Sequence, residues 1–388
     1  MASTPIHPFP ARMAPEIARQ SLERLRDRNR VIDPMCGSGT VLRAAVEQGL
    51  ECTGIDIDPL AILMSRVWTT ALPTFRLLHD AHELLREAQG LSERELVRAD
   101  DPDTRVFIDY WFAERQAEQL ARLATVLKNI DWDTRDALAI AFSRIIISKE
   151  RMASLARDTS HSRPHKVADA NDFDVYSGFL NAVRCVAKRL EPKRIRAQAS
   201  VRIGDARILD EIPDKSFDFA LTSPPCLNAI DYLRGHRMTL VWLGYDMASI
   251  RAIKAASVGS ERVLGAAGAT FSIDPYIVEA EGSTITDRHR GWVRRYSTDM
   301  RRILKQLSRV IRPGGEVVLV LGNSFLRGAT IDNAGMITAL AEEVGLEPIR
   351  RTTRAIPARR RYLPPPGNGG NTLDARMRTE VVLSMQVV

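Results

Sequence analysis

The sequence predicts an α/β fold built on a doubly wound, mostly parallel sheet that a long helical segment interrupts. Three observations predict it: strand–loop–helix–strand signals in residues 30–58, a Leu-, Ala-, Arg- and Glu-rich stretch with few strand signals from about residue 60 to 192, and renewed strand–helix alternation from about residue 200. Strands alternating with helices are typical of parallel sheets whose crossover helices cover both faces. We therefore expect three parts: residues 1–60, a mainly helical insertion over 61–197, and residues 198–388.

The first part contains a glycine loop between a strand and a helix. The strand over 30–32 runs into the string Asp33-Pro34-Met35-Cys36-Gly37-Ser38-Gly39-Thr40, a helix follows, and a second strand ends at Asp56. The two glycines allow a tight turn and the close approach of a ligand, and the helix N-terminus behind them favours a negative group. No Gly-Lys-Ser/Thr follows, which excludes a Walker loop, and Leu42 stands where a dinucleotide fingerprint has its third glycine. Asp56 would hold two ribose hydroxyls.

The predicted insertion carries one polar interruption. Its helical patterns recur at 78–98, 111–129, 134–156 and 173–190. We predict that the interruption over 157–165 contacts nucleic acid through Arg157, Ser160, His161 and Arg163, with a plain surface turn as the alternative. His161 and His165 are four residues apart, but Pro164 makes a helix there improbable, so no metal site is expected.

Two further strand ends carry candidate functional groups. The first leads to Gly204-Asp205-Ala206, where the acid would accept a hydrogen bond from an adenine amino group or cap a helix. The second ends at Thr222-Ser223-Pro224-Pro225-Cys226. Its prolines remove two amide donors and stiffen the loop, so the carbonyls of Ser223 and Pro224 and the Ser223 hydroxyl can accept both hydrogens of an aromatic amine. Such an amine is a poor nucleophile because its lone pair is delocalised, and these acceptors would aim that lone pair at a methyl donor.

The C-terminal part ends in two predicted strands, 346–356 and 379–387, that flank a basic loop. Eight arginines and one acid, Asp374, lie between residues 350 and 378. We predict that Arg359, Arg360 and Arg361 contact phosphates, and the net charge of +7 agrees in sign.

Composition excludes several other classes of protein. No apolar run approaches the roughly 18 residues that span a bilayer, and the first ten residues lack the layout of a signal peptide. The four cysteines are far apart, which argues against a zinc site or a disulfide. We expect a cytoplasmic protein with no metal and no membrane partner, of undetermined oligomeric state.

Three strings together resemble one known family. The glycine loop at 33–40, Gly-Ile-Asp at 54–56 and Thr-Ser-Pro-Pro at 222–225 are similar to those of the DNA amino-methyltransferases, the cytosine-N4 and adenine-N6 group. The string His7-Pro8-Phe9-Pro10 resembles the segment that covers the methionine end of the cofactor in that family. The resemblance extends over roughly 1–60 and 198–388. It implies a Rossmann-like class I methyltransferase sheet with a reversed last hairpin, S-adenosylmethionine as cofactor, double-stranded DNA as partner, and flipping of the target base.

The resemblance also assigns residues to roles. It implies that the cofactor contacts His7, Pro8, Phe9, Asp33, Pro34, Met35, Cys36, Gly37, Ser38, Gly39, Thr40, Asp56, Ile57, Asp205 and Ala206. It implies a catalytic loop of Ser223, Pro224, Pro225 and Cys226, in which the serine favours cytosine-N4 over adenine-N6.

Cys226 departs from the family pattern, which has an aromatic residue there. An aromatic ring stacks on the flipped base, and such stacking is worth about 1–3 kcal/mol per base. Tyr232 would substitute for it, or the activity would be weakened. Three alternatives therefore remain open: a cytosine-5 methyltransferase with Cys226 as nucleophile, an RNA base methyltransferase, and an inactive nucleic-acid-binding homologue. The type of glycine loop, the lack of a Glu-Asn-Val string and the N-terminal position of His7-Pro8-Phe9-Pro10 argue against the first.

Overall fold

The computed structural model describes residues 4–10, 12–26, 28–96, 99–161, 163–190, 194–227, 231–260, 271–357 and 378–388. The helices there are α1 (Pro15–Leu22), α2 (Thr40–Glu47), α3 (Pro59–Thr69), α4 (Thr74–Gly90), α5 (Pro102–Trp111), α6 (Glu114–Asn129), α7 (Arg135–Arg144), α8 (Val175–Leu190), α9 (Tyr232–Leu240), α10 (Met247–Ala256), α11 (Asp287–Val310) and α12 (Asn333–Glu342). The strands are β1 (Val31–Asp33), β2 (Cys52–Asp56), β3 (Ala156–Arg157), β4 (His165–Lys166), β5 (Ala199–Ile203), β6 (Phe217–Thr222), β7 (Ile277–Glu279), β8 (Ile311–Leu321), β9 (Ser324–Leu326), β10 (Ala329–Ile331), β11 (Leu346–Ala355) and β12 (Thr379–Val387).

One seven-stranded sheet organises the fold, in the order β11-β12-β8-β6-β1-β2-β5. The five strands from β8 to β5 pair in parallel, whereas β12 is antiparallel to both β8 and β11. The predicted α/β class, with a mostly parallel sheet and a reversed last hairpin, is confirmed. Strand order reverses between β1 and β6, and ligands bind at such a switch point, beyond the carboxyl ends of the strands.

Helices cover both faces of the sheet. All three residues of β1 are buried, as expected for a parallel strand with helices on both sides. Val31 packs with α1 and α2 on one face, through residues such as Leu22 and Leu42. Ile32 belongs to the opposite core, to which α11 and α12 contribute. This alternation fixes the register of β1 and therefore the place where its loop begins.

The segment between β2 and β5 contains α3 to α8 and the short hairpin β3–β4. Helix α3 packs on β2 and β5 as well as on α7, so a division at residue 60 falls inside a helix that covers the sheet. Helices α9 and α10, from the second part of the chain, share the core of this helical segment through Leu233, Met238 and Met247. The three-part division by residue number stays a prediction.

Helix boundaries in this segment differ from the sequence patterns. The helix expected over 134–156 ends at Arg144, where three consecutive isoleucines begin and the chain leaves the helix in turns bonded to Phe142 and Ser143. Helix α5 was not predicted. In the parts of the chain that the structure describes, no helix is long and apolar enough to cross a bilayer.

Candidate active site

The glycine loop joins β1 to α2 at the carboxyl edge of the sheet. Gly37 and Gly39 have φ values of +49° and +81°, which favour glycine. A Cβ on Gly39 would lie 2.9 Å from Ser65 Cα on α3, so both the backbone and the packing require glycine there. The Ser65 hydroxyl donates to the Gly37 carbonyl at 2.9 Å. Helix α3 therefore fixes the shape of the loop from behind.

Two carboxyls lie at the ends of β1 and β2. Asp56 accepts hydrogen bonds from the Gly37 amide at 2.8 Å and from the Asp58 amide at 3.0 Å, which joins the end of β2 to the glycine loop. Burial raises the pKa of Asp56 to about 6. Asp33 is 3% exposed, and burial raises its pKa to about 7, against the hydrogen bond from the Met35 amide at 3.2 Å.

Two hydroxyls at the start of α2 have no hydrogen-bond partner among the residues described. These are Ser38 Oγ and Thr40 Oγ1, and both side chains are buried. A buried polar group left unpaired costs about 1–3 kcal/mol. The N-cap of α2, Gly39, offers no side chain to the free amides of the first turn. Hydroxyls and amides together fit a polar, negatively charged ligand group at this helix end.

The N-terminal segment lies over the glycine loop. The Phe9 ring is 3.1 Å from the position that a Cβ on Gly37 would occupy. This ring stacks on Tyr232, with centroids 5.1 Å apart and planes 23° apart, and lies tilted against His236 at 5.6 Å. Phe9 thus joins the glycine loop to the first turns of α9.

His7 anchors this segment to the helical part of the chain. Its Nδ1 is 2.7 Å from the Pro8 carbonyl and its Nε2 is 2.9 Å from Ser143 Oγ on α7. Burial lowers the pKa of His7 to about 3, so the ring is neutral, with Nδ1 as the donor to the carbonyl and Nε2 as the acceptor. Arg144 adds a hydrogen bond to the Ile6 carbonyl at 2.6 Å.

Asp58 and His236 form a buried pair that sequence reasoning missed. Asp58 Oδ1 accepts from the Leu60 amide and caps α3, while Oδ2 contacts His236 Nδ1. The side chains are 9% and 2% exposed. His236 Nε2 is buried with no hydrogen-bond partner in the described part of the chain. The only local signal was the Asp58-Pro59 pair, which is typical of a helix start.

The Thr222–Cys226 loop lies next to the glycine loop because β6 pairs in parallel with β1. Ser223 Oγ donates to the Val320 carbonyl at 3.2 Å, and Cys226 Sγ donates to the Gly322 carbonyl at 3.5 Å. Burial raises the pKa of the Cys226 thiol. Of the backbone hydrogen bonds between described residues, none ends on the carbonyl oxygen of Ser223 or Pro224. The loop is thus held by side chains while two of its carbonyls stay available.

Asp205 and Ala206 follow β5, and Ile57 follows β2, at the same edge. Ala206 is buried and Ile57 half-buried. The Asp205 carboxylate is bound by Arg207, whose Nη2 lies 2.6 Å from Oδ2. The structure therefore brings Asp205 to the predicted place but gives its carboxylate a protein partner.

The residues of the polar interruption that were predicted to contact nucleic acid lie together in one hairpin beside α9. Arg157 and His165 face each other in the β3–β4 hairpin, whose turn over 159–161 packs against α9. Arg157 pairs with Glu150 at 2.8 Å, Ser160 is buried, and His161 lies 3.7 Å from Asp158. In its described residues, the interruption forms the β3–β4 hairpin. Arg163 precedes β4, and its amide donates to the Asp158 carbonyl.

The predicted phosphate contacts of the last loop, Arg359, Arg360 and Arg361, lie outside the described residues. The chain leaves and rejoins the sheet at Ile356 and Arg378, which are joined by a hydrogen bond of 2.7 Å. These two points lie where β12 begins beside the carboxyl end of β8, at the same edge as the glycine loop. For the described residues, no group of three or more His, Cys, Asp or Glu side chains is arranged to hold a metal ion.

This sheet order, with a glycine loop after β1 and an acidic residue at the end of β2, is a doubly wound, Rossmann-like α/β arrangement whose strand β12 is reversed. The chain is 22% identical over 417 aligned positions to the type II methyltransferase M.MvaI of Kocuria varians, covering 98% of this chain and 90% of that protein. It is 20% identical over 377 positions to the type II methyltransferase M.BsoBI of Geobacillus stearothermophilus, covering 82% and 73%. These similarities support methyltransferase activity.

A solved structure of an S-adenosylmethionine-dependent methyltransferase from Methanosarcina mazei shares 11% identity and a TM-score of 0.35, over 95% of this chain and 97% of that one. This likeness is too distant to bear on function. No protein-family model matches the chain.

Proposed function

We propose that the protein is a DNA methyltransferase that transfers a methyl group from S-adenosylmethionine to the exocyclic amine of a flipped base, with cytosine-N4 favoured over adenine-N6. One observation carries the proposal. The Thr222–Cys226 loop follows the strand directly beside β1, and the carbonyls of Ser223 and Pro224 accept no backbone hydrogen bond from described residues. These two carbonyl oxygens lie beside the glycine loop and can accept the two hydrogens of an aromatic amine.

The residues present fit the cofactor. The Asp56 carboxylate would accept from the ribose hydroxyls, and the first turn of α2, with Ser38 and Thr40, would bind the methionine carboxylate. Phe9 lies over Gly37 and would exclude water from that end of the site. The cofactor supplies an activated methyl group, so this chain has only to bind, orient and desolvate. Pro34, Met35, Cys36 and Ile57 would line the same site.

The chemical step rests on orientation of the amine. When Ser223 and Pro224 accept its two hydrogens, the nitrogen lone pair is directed away from them and toward the methyl donor, and the methylated nitrogen then releases one of these two protons to water. Positioning of this kind accounts for much of the rate gain in enzymatic group transfer. The hydrogen bonds of Ser223 to Val320 and of Cys226 to Gly322 support the role, because they hold the loop in one place on the end of β8.

The protonated thiol of Cys226 supports methylation of the exocyclic amine over methylation of the cytosine ring carbon. A nucleophilic cysteine acts as the thiolate, whose formation needs a lowered pKa. Burial raises the pKa of Cys226, and its thiol donates to a carbonyl. Tyr232 would supply the aromatic surface that Cys226 lacks, because its ring already lies beside the site on Phe9.

Double-stranded DNA is the proposed substrate, and the similarity of the chain to two type II methyltransferases supports it. Arg157, Ser160, His161 and Arg163 would contact DNA from the side of α9, and Arg359, Arg360 and Arg361 from the end of the sheet. We propose a cytoplasmic location for the protein.

Mass spectrometry of nucleosides tests the proposal. Duplex DNA is incubated with the protein and S-adenosylmethionine and then digested. N4-methylcytosine is expected, with a loss of about 10–100-fold in S223A because the hydroxyl that holds the two acceptor carbonyls in place through Val320 is removed. In C226A the same product should persist. Accumulation of 5-methylcytosine that disappears in C226A would overturn the amino target, and methylation of structured RNA alone would overturn the DNA substrate.

A further inference from the structure

The Asp205 carboxylate accepts hydrogen bonds from one neighbour, Arg207, at both oxygens. Its Oδ1 accepts from the Arg207 amide at 2.9 Å and from Arg207 Nε at 2.9 Å. Its Oδ2 accepts from Nε at 3.1 Å and from Nη2 at 2.6 Å. The Nε–H is shared between the two oxygens, so three N–H groups of Arg207 take most of the roughly four lone-pair directions of this carboxylate. An adenine amine would have to displace a charged, forked donor to bind here.

Arg207 carries this contact to two other elements. Its Nη1 lies 2.9 Å from Asp299 Oδ1 on α11, and its Nη2 donates to the Ala256 carbonyl, at the end of α10, at 2.6 Å. The side chain of Arg207 is 12% exposed and that of Asp299 is 5% exposed. Arg207 thus crosses from the end of β5 to the last turn of α10 in a mostly buried position.

A second arginine repeats the arrangement. Arg295 donates to the Ala255 carbonyl at 2.8 Å and lies 3.7 Å from Asp299. The last carbonyls of α10 therefore face two guanidinium groups, which suits the negative end of a helix dipole. Two carboxylates, Asp205 and Asp299, hold the two cations in place. The two arginines and two aspartates form one charge-balanced cluster, and its arginines donate hydrogen bonds to the last carbonyls of α10.

The segment after α10 lies against the catalytic loop. Gly259 has φ +77°, and a Cβ on it would lie 3.2 Å from the Cys226 carbonyl oxygen and 3.7 Å from Leu227 Cα. Ser260 returns to α10 through its hydroxyl, which lies 3.4 Å from the Ala255 carbonyl. The path from Asp205 to Cys226 thus runs through Arg207, the end of α10 and Gly259.

We propose that Asp205 and Arg207 are positioning residues for the target-base loop: Asp205 orients Arg207, which clamps the end of α10 and so holds Gly259 against Cys226. This inference rests on the proposed function, since it assigns Asp205 to the base loop and not to the adenine of the cofactor. Replacing either residue loosens the end of α10, and the Thr222–Cys226 loop loses its contact with Gly259. Cofactor binding is largely preserved.

Calorimetry of S-adenosylmethionine binding, together with kcat for methyl transfer, compares D205N, R207Q and the double variant. We expect kcat to fall by about 10–100-fold in each, with cofactor Kd within about 3-fold of the unaltered protein. The double variant should be no worse than either single variant, because both remove one unit. E211Q is the matched control, since Glu211 is an exposed acid on the same loop and pairs only loosely with Arg202, at 3.5 Å.

Amide hydrogen exchange of residues 257–260 gives a readout that needs no activity. We expect faster exchange there in D205N and in R207Q, and unchanged exchange in E211Q, with the central strands still protected as evidence of folding. Cofactor Kd raised about 10-fold or more in D205N, with R207Q unaffected, would overturn the proposal in favour of adenine binding. Unchanged exchange in 257–260 in both variants would overturn it as well. Failure of the proposed function would instead appear as no methyl transfer by the unaltered protein. The exchange result would still show whether Asp205 and Arg207 hold the end of α10.

Discussion

His236 Nδ1 contacts Asp58 Oδ2 in a buried pair that fastens α9 to the end of β2. The two residues are 178 positions apart in the chain. Asp58 also caps α3 and donates its amide to Asp56, while His236 supports the Phe9 ring. The Asp58–His236 pair therefore connects the end of β2, beside the glycine loop, to α9, the helix that follows the Thr222–Cys226 loop.

Breaking this pair should destabilise the fold. We expect H236Q and D58N each to lower the free energy of unfolding by about 3–5 kcal/mol, because each leaves a buried polar partner unpaired. Urea unfolding measures the free energy of unfolding, and the loss in the double variant should be clearly smaller than the sum of the two single losses. H79Q is the control, since His79 forms an exposed pair with Asp80 and is 71% exposed. Additive losses in the double variant would contradict a direct coupling.

Gly39 should tolerate alanine poorly. G39A combines a left-handed φ with a clash against Ser65, for an expected loss of about 2–5 kcal/mol. Gly314 provides a matched control, because its φ is +76° and a Cβ there meets nothing within 4 Å. G314A should lose only the backbone strain, roughly 1–2 kcal/mol. Equal losses in thermal unfolding would show that packing against α3 is unimportant.

Asp33 should make the stability depend on pH. Its pKa is raised to about 7, above its ordinary 3.8, so the folded protein retains a proton that the unfolded chain releases. Stability should therefore fall as pH rises from about 4 to about 7 and then level off. D33N removes this dependence, and relative to the unaltered protein its stability should improve by several kcal/mol between about pH 4 and pH 8.

Urea unfolding at both ends of that range measures the effect of D33N. Asp56, whose raised pKa acts in the same direction, remains in both proteins and cancels in the comparison. D172N is the control, because Asp172 is 98% exposed, and it should keep the original slope. An identical slope in D33N would refute the assignment of the effect to Asp33.

Asp56 should govern cofactor affinity. D56N keeps the shape of the side chain but loses a charged acceptor, so we expect S-adenosylmethionine to bind about 10–100-fold more weakly by calorimetry. E51Q, just before β2 and exposed, should bind normally. Affinity that survives in D56N would remove the proposed ribose contact.

The arginine row before the last strand should govern the dependence of DNA binding on salt. Replacing Arg359, Arg360 and Arg361 by alanine should make the slope of log K against log salt shallower by up to about 3. Fluorescence anisotropy with duplex DNA measures it. R301A is the control, since Arg301 pairs with Glu343 on the far helices. A slope unchanged by the triple replacement would contradict phosphate contacts at this loop.

The sequence predicted the parts of the site that are contiguous in the chain. The glycine loop, Asp56 and the Thr222–Cys226 string each follow a buried strand, and parallel strands place such ends at one edge. The sequence predicted the helical segment less well. Helix α5 was not predicted, and α7 ends at an isoleucine run inside the pattern expected to continue to residue 156, because helical periodicity fixes the ends of a helix poorly.

The amino-acid sequence alone determined the parallel sheet and the loops at its carboxyl edge, since strand periodicity and turn residues act locally, whereas its reversed last hairpin was implied by the family resemblance. The tertiary structure decided which side chains complete that edge. Phe9 on Tyr232, Asp58 on His236 and Asp205 with Arg207 and Asp299 depend on packing between distant helices and strands. Contacts between residues so far apart leave no periodic signal along the chain, because each side chain is chosen by a neighbour that only folding brings near.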